Sequence, residues 1–438
     1  MQATQRELKP RLRFPEFHDA GEWEEKRLEE MFDFQSTANN SRADLSNAGD
    51  TFYIHYGDIH TKFHQYIDFS KDTIPKIQSR LYRNATFLKN GDLVIADASE
   101  DTEGIAKAVE VRGLENGVNA ISGLHTILLR DLRQNYVNGF KGLLREIETV
   151  KKQIKRLAVG AKVYSVSKTV LKQVLLPLPS HPEQQKIAEC LSSIDELIAS
   201  QTQKLVTLKT HKKGLIQQLF PAEGETQPKL RFPEFCNAGE WEEKDFGEIC
   251  NFVRGPFGGS LKKEIFVKDG YAIYEQSHAI HQDFDSFRYY ISEDKFNELK
   301  RFSVQPDDII MSCSGTMGKF AIIPKEAKTG VINQALLKLT VKKQLDIKFI
   351  KAILELPSNQ EQLLSQSAGG AIKNVVSVGQ IKELIFCIPS LQEQQKIADS
   401  LSSIDELITA QTQKLGTLKI HKKGLMQQLF PAMEEASS

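Results

Sequence analysis

Two stretches of the chain repeat the same strict 4-3 spacing of large apolar residues. Ile187, Leu191, Ile194, Ile198, Leu205, Leu208, Leu215 and Leu219 form the first series, with Gln201 and Lys212 as polar interruptions. Ile397, Leu401, Ile404, Ile408, Leu415, Leu418, Leu425 and Leu429 form the second, interrupted at Gln411 and Lys422. A 3.5-residue period held over about five heptads predicts a coiled-coil seam rather than an ordinary surface helix. Ser180…Glu183 and Ser390…Glu393 read as capping boxes, in which serine accepts from an orphan amide and glutamate reaches back. Pro221 and Pro431 block continuation. Outside the helices the pattern changes. LVIADAS, HTILLR, DIIMSCS, FAIIP and ALLKLTV are short β-rich runs bounded by turn residues, and 138–157 and 346–366 read as helical, so the bodies are mixed α/β.

The chain is an internal duplication. RLRFPEFHDAGEWEEK (11–26) returns at 229–244 with 13 of 16 positions identical, and 183–222 returns at 393–432 with 33 of 40 identical. Weaker echoes join 87–99 to 303–315 and 160–180 to 370–390. The resulting segmentation is a body over 1–180, a helix over 181–220, a linker at 221–228, a second body over 229–389, a second helix over 390–430 and a tail at 431–438. A helix of roughly 37 residues carries the chain about 55 Å, and the linker is short. The second helix must therefore run back along the first to bury its seam. The expected fold class is α+β: two globular α/β bodies separated by a long antiparallel two-helix coiled coil with pseudo-twofold duplication. Gln201 and Gln411 are candidates for setting its register.

Charge narrows the function. The chain carries 57 basic and 57 acidic side chains, which argues against strong solitary nucleic-acid binding but leaves room for local basic faces. One is expected over 141–172, where Lys141, Arg145, Lys151, Lys152, Lys155, Arg156, Lys162, Lys168 and Lys172 outweigh Glu146 and Glu148. Five cysteines without a C-x-x-C pair fit a reducing compartment with no zinc site. No apolar run reaches about 18 residues, and MQATQRELKPRLRF lacks the apolar core of a secretory signal; a cytoplasmic location is expected. No phosphate-binding loop, dinucleotide fingerprint or paired metal-ligand motif is present: Ser314–Lys319 misses the required spacing, and Gly255–Ser260 reads as a flexible loop. His211 and His421 sit at matching basic helix positions and read as surface residues. Nothing points to catalytic or metal-binding residues.

The doubled helix opening His181-Pro-Glu-Gln-Gln-Lys-Ile-Ala-Glu-Cys-Leu191, copied at Leu391–Leu401, resembles the specificity subunit of type I restriction–modification systems. The K/R-L-R-F-P-E-F…G-E-W start is similar to that family too, and the resemblance covers essentially the whole chain. One departure is Gln392, which stands where the first copy has Pro182. The resemblance implies that each body is a target recognition domain reading one half of a bipartite, asymmetric double-stranded DNA site. It implies that the helices set the spacer and dock two methyltransferase subunits, with restriction subunits joining where they exist. It implies no catalysis and no cofactor on this chain: S-adenosylmethionine, ATP and Mg belong to the partners. Within that class the chain could also serve a methylation-only system. Rival readings are a non-catalytic coiled-coil scaffold joining protein partners, and a standalone nucleic-acid enzyme, which the missing motifs disfavour.

Candidate DNA-binding residues come from loops echoed in both bodies. Tyr53…Tyr56…His60 matches Tyr271…Tyr274…His278 at an offset of 218, and Lys62, His64 and His281 follow these motifs. Ser99 and Lys107, with Ser314, Thr316 and Lys319, offer hydroxyls and amines for phosphate. Arg254, Lys262 and Lys263 flank the glycine-rich loop, and Gln276, Asn333 and Gln334 carry the amide pair that reads adenine. Asp92 and Asp308 occupy matching turns and read as structural.

Overall fold

The computed structural model describes residues 8–160, 162–257, 259–365 and 378–431. Residues 370–377 of the echoed segment 370–390, residue 366 of the expected second helix, and Gly258 of the glycine-rich loop lie outside them. The chain divides into two compact units: residues up to 202 with those from 413 onward, and residues 203–412.

The apolar series fold as helices His181–Leu219 and Leu391–Gln428, of 39 and 38 residues. Each unit contains the start of one helix and the end of the other, and within each unit these portions are antiparallel. In the first unit Ile187 and Leu191 share a core with Leu425 and Leu429, and Lys422 pairs with Asp195 at 2.6 Å. In the second, Leu215 and Leu219 share a core with Ile397 and Leu401, and Lys212 pairs with Asp405 at 2.6 Å. The duplication offset of 210 maps Asp195 onto Asp405 and Lys212 onto Lys422, so this is one ion pair written twice. The two lysines that interrupt the apolar series are therefore ion-pairing positions. All sixteen apolar seam positions are buried or half-buried, and Gln411 is buried among them.

The capping boxes do not form as the sequence predicts. Glu393 N approaches Ser390 Oγ at 3.4 Å, but the glutamates turn elsewhere. Glu183 accepts from Arg13 Nε and Nη2 at 2.8 and 2.6 Å and from Trp23 Nε1 at 3.0 Å. Glu393 accepts from Arg231 Nε and Nη2 at 2.9 and 2.6 Å. A bidentate guanidinium binds carboxylate more strongly than one backbone amide does, and it wins. Arg13 Nη1 also donates to the carbonyls of Ala20 and Gly21, so the repeated start motif clamps onto its own unit's helix. Antiparallel pairing of Glu24–Arg27 with Leu175–Leu178, and of Glu242–Asp245 with Ile385–Ile388, closes each body beside that clamp.

Each body is built on two larger sheets beside the two-stranded pairing just described. In the first unit a five-stranded sheet runs in the order Asp33–Gln35, Thr126–Arg130, Leu93–Ala96, Ala108–Arg112, Tyr66–Asp68, next to a three-stranded sheet of Lys76–Ile77, Thr51–Ile54 and Ala120–Ser122. In the second, Cys250–Arg254, Leu336–Val341, Ile309–Ser312 and Phe320–Ile322 form one sheet. Phe266–Val267, Tyr290–Ile291, Tyr271–Tyr274 and Gly330–Ile332 form the other. The central strands are buried on both faces, which is why they read as unbroken apolar runs. Leu93 and Ile95 enter one core while Val94 and Ala96 enter another, and Ile309 and Met311 part from Ile310 in the same way.

Two helical expectations are corrected. Residues 138–157 hold a 3-10 turn, Lys141–Glu146, then an extended Ile147 and the helix Glu148–Leu157. Residues 346–366 split into Ile347–Leu354 and Pro357–Ser365, because the proline disfavours a helical residue before it. The basic face expected over 141–172 is also broken up. Lys141 and Arg145 are buried and donate to the carbonyls of Gly91 and Ile105, and Lys151 pairs with Glu146. Asp92 and Asp308 are structural: Asp92 pairs with Arg130 at 2.6 Å, and each accepts an amide of its own turn at 2.8 Å. No helix among the described residues is long and apolar enough to cross a membrane.

Candidate nucleic-acid interface

Parallel pairing brings the candidate loops together. In the first unit Thr51–Ile54 runs parallel to Ala120–Ser122, so both strands deliver their C-terminal ends to one edge. The helix Tyr56–Thr61 follows the first strand and the turn 123–125 follows the second, with Gly123 N donating to Ile54 O at 3.0 Å. The central strand Leu93–Ala96 ends there too, where Asp97 N donates to His125 O at 3.1 Å. The second unit repeats the construction. Tyr271–Tyr274 is parallel to Gly330–Ile332, Asn333 N donates to Tyr274 O at 3.0 Å, and Cys313 N donates to Ala335 O at 2.8 Å.

This correspondence changes the register of the echo. Ile54 and Tyr274 are the matching strand ends, and Tyr56 and Gln276 the matching helix starts. The offset is therefore 220, not 218 (274 − 54 and 276 − 56). Tyr56 is equivalent to Gln276 and Asp58 to His278, and the tyrosine and histidine matches are coincidences of composition.

In the first unit the edge carries an imidazole and phenol cluster. The Tyr56 ring centroid lies 4.6 Å from His55, 5.3 Å from His125 and 6.3 Å from His60. His55 Nδ1 accepts from Gly57 N, and burial, with Arg42 close by, holds its pKa down. Below the cluster Asp58, 1 % exposed, pairs with Arg42 and Lys62, each at 3.0 Å. Both cations are about half exposed, so one buried carboxylate fixes two positive groups at the surface. Ser99 is buried, its Oγ accepting from Asp101 N. Lys107 donates to His60 O at 3.0 Å, and burial lowers its pKa. These two residues shape the loop from within. His64 is exposed and lies outside the cluster.

The second unit presents amides and hydroxyls instead. Gln276 Nε2 donates to the carbonyls of Ser314 and Thr316, and Ser312 Oγ donates to Thr316 O at 2.7 Å. The Gln276 amine thus braces the loop, and the bidentate adenine reading expected of it is spent internally in this arrangement. Asn333 Oδ1 accepts from Ala335 N at 3.0 Å. Thr316, Lys319 and Gln334 are exposed, and Ser314 and Asn333 half-buried. A cavity of about 620 Å³ opens among Gln276, His278, Phe287, Arg288 and Asn333. His278 faces inward: Glu275 N donates to its Nδ1 at 2.8 Å, Nε2 meets Ser286 O at 3.2 Å, and Phe287 stacks on the ring. It closes the cavity wall and presents no free edge. Arg254 ends the edge strand beside this turn, whereas Lys262, Lys263 and His281 are exposed outside it. The sequence reading missed Arg42, His55, Asp58, His125 and Arg288. The available signal was the matched pair of turns GLH (123–125) and NQA (333–335), each between two β-runs.

Burial pushes the Cys313 thiol up to about 11 and the Cys250 thiol up to about 12, so neither is a nucleophile near neutral pH. Among the described residues no group of three or more His, Cys, Asp or Glu side chains is placed to hold a metal ion.

The family model described as the type I restriction modification DNA specificity domain matches the chain twice, over residues 20–210 and 238–419. The chain is 25 % identical over 317 residues to the MjaX type I restriction enzyme specificity subunit of Methanocaldococcus jannaschii, covering 71 % of each protein. It is 22 % identical over 284 residues to the MjaVIII specificity subunit of the same organism, covering 63 % of this chain and 66 % of that one. Among solved structures, the type I restriction–modification S subunit from M. genitalium superposes with a TM-score of 0.58 at 15 % identity, over 98 % of this chain and all of that one. A structure from work on complex assembly and conformational transition of the type I R-M system gives 0.53 at 16 % identity, over 94 % and 98 % of the two chains.

Proposed function

Because the chain belongs to the type I restriction–modification DNA specificity family, we propose that its two units read the two halves of one bipartite, asymmetric double-stranded DNA site. The chain is a non-catalytic specificity subunit of such a system. In this reading the paired helices fix the number of base pairs left uncontacted and dock two methyltransferase subunits, with restriction subunits added where the system has them. S-adenosylmethionine, ATP and Mg are bound by those partners, and the assembly works in the cytoplasm.

One observation carries the reading. The same three-segment edge is built in both units, yet the side chains on it differ in kind: Tyr56, His125, Arg42 and Lys62 on one, Ser314, Thr316, Asn333 and Gln334 on the other. A shared scaffold with divergent surfaces suits two readers of unlike sequences. Cations such as Lys62, Arg254 and Lys319 would take phosphate and set orientation, while amides and imidazoles face base edges. His64, Lys262 and Lys263, exposed outside the edge, are suited to more distant phosphates. Ser99, Lys107, Gln276 and His278 support the loops from beneath.

The test is an exchange. The chain is produced with its companion methyltransferase, and methylated adenines are mapped across the genome by single-molecule sequencing. A single split motif that disappears on deletion of this gene is expected. Exchanging residues 245–388 for another body should then change one half of that motif and leave the other half and the spacer untouched. A change in both halves would refute independent reading. An unchanged methylome after deletion would remove the DNA role altogether and favour a scaffold that joins protein partners.

A further inference from the structure

The second unit carries an apolar side chain that its own fold does not use. Phe257 is 93 % exposed; among the described residues the next most exposed large apolar side chain is Ile420, at 75 %. Its position is fixed from below. Gly255 donates its amide to Leu336 O at 3.0 Å, and a Cβ added there would lie 1.8 Å from Asn333 O, so only glycine allows this approach. Pro256 is buried, and its ring fixes its own φ and restricts Gly255 before it. Ser260 N donates to Phe257 O at 2.9 Å. The phenyl ring therefore projects from a pinned base, two residues from contact with the Asn333 turn, with Arg254 before it and Lys262 and Lys263 after it.

Resting on the reading above, we propose that Phe257 is a wedge that enters the DNA stack at a base step in or beside the half-site read by the second unit. On an edge that reads DNA, an exposed aromatic ring on a braced base can bury both faces between bases, while Arg254 at the end of the neighbouring strand is suited to a flanking phosphate. The first unit lacks the device. After its edge strand Asp33–Gln35 the chain continues as Ser36-Thr37-Ala38, Ala38 is buried, and no aromatic residue occurs before Phe52. The consequence is asymmetric: specificity in one half-site includes how readily a step unstacks, at a position no polar group needs to touch.

The experiment uses the full chain assembled with its methyltransferase, on duplexes carrying its mapped site. 2-Aminopurine is placed in turn at each position of both half-sites and their flanks. Apart from the adenines that the methyltransferase itself turns out of the stack, binding should raise the fluorescence at one step on the second unit's side and at none on the first unit's side. Phe257→Ala should abolish the rise and weaken binding by roughly fivefold or more, as loss of one stacked aromatic contact does. Phe257→Leu, which keeps an apolar wedge, should retain most of both. A mismatch at that step should tighten binding by the wild type and not by Phe257→Ala, because it removes a cost only the wedge incurs. Site-specific binding with no such further rise on that side, or an equal further rise with Phe257→Ala, overturns the wedge alone. Failure of the wild-type assembly to bind its mapped site overturns the recognition reading and the wedge with it.

Discussion

Arg13→Met is expected to destabilise the first unit by about 3–5 kcal/mol, the range for breaking one side of a buried ion pair. Arg13 and Glu183 side chains are 4 % and 2 % exposed, and the guanidinium also satisfies two backbone carbonyls. Methionine fills the space but leaves a buried carboxylate holding only Trp23 Nε1. Hydrogen exchange reads the effect locally, which matters because a chain of two units need not unfold in two states. Protection should fall in 24–27, 175–178 and the first turns of the helix from His181, and stay unchanged in 242–245 and 385–388. Adding Glu183→Leu to Arg13→Met should recover part of the loss by removing the stranded charge. Recovery should be more complete in the second copy, with Arg231→Met and Glu393→Leu. There Trp241 Nε1 is already buried without a partner, so removing Glu393 orphans nothing new. If Arg13→Met alone costs under about 1 kcal/mol, as an exposed pair would, the clamp is not the closure of the unit.

These long-range pairs also mark where the sequence stops being legible. The repeated helices were readable because a heptad is a local pattern, and the α/β character of the bodies because strands buried on both faces are apolar without interruption. Asp92 and Asp308 were readable as turn residues from their place before an apolar run. Glu183 looked like a capping residue because Ser180 is three residues away, whereas its true partner is 170 residues distant. Lys141 and Arg145 looked like a surface because the carbonyls they reach, at Gly91 and Ile105, belong to other elements. The echo slipped by two residues because tyrosines recur at both strand ends, while the register is set by parallel pairing with strands 120–122 and 330–332. Several of the loops singled out in the sequence meet at one edge of each body; which of their side chains point outward was decided by contacts the sequence does not carry.

The turn at Gly123 gives the second large effect, because there the scaffold and the edge are one piece. A Cβ on residue 123 would lie 1.8 Å from the Tyr53 Oη and 1.9 Å from Cζ, overlaps that no bond-angle adjustment absorbs. Tyr53 has no room to retreat. Its side chain is fully buried, its hydroxyl donates to Asn40 O at 2.6 Å and accepts from Leu124 N at 3.1 Å. Gly123→Ala must therefore displace either the ring, losing two hydrogen bonds, or the turn that carries His125. Overpacking of about 1–3 kcal/mol plus roughly 1 kcal/mol for each lost bond gives an expected cost of about 3–5 kcal/mol. Tyr53→Leu should suppress much of that penalty, so the double variant should be more stable than the sum of the singles. The functional signature separates this from general unfolding. At a temperature where Gly123→Ala stays folded, methylation should lose fidelity in the half-site read by the first unit and keep it in the other. Gly255→Ala, whose Cβ would meet Asn333 O at 1.8 Å, should do the reverse. Loss of fidelity in both halves from either change would mean that the two edges are not independent readers, whatever the stability data say.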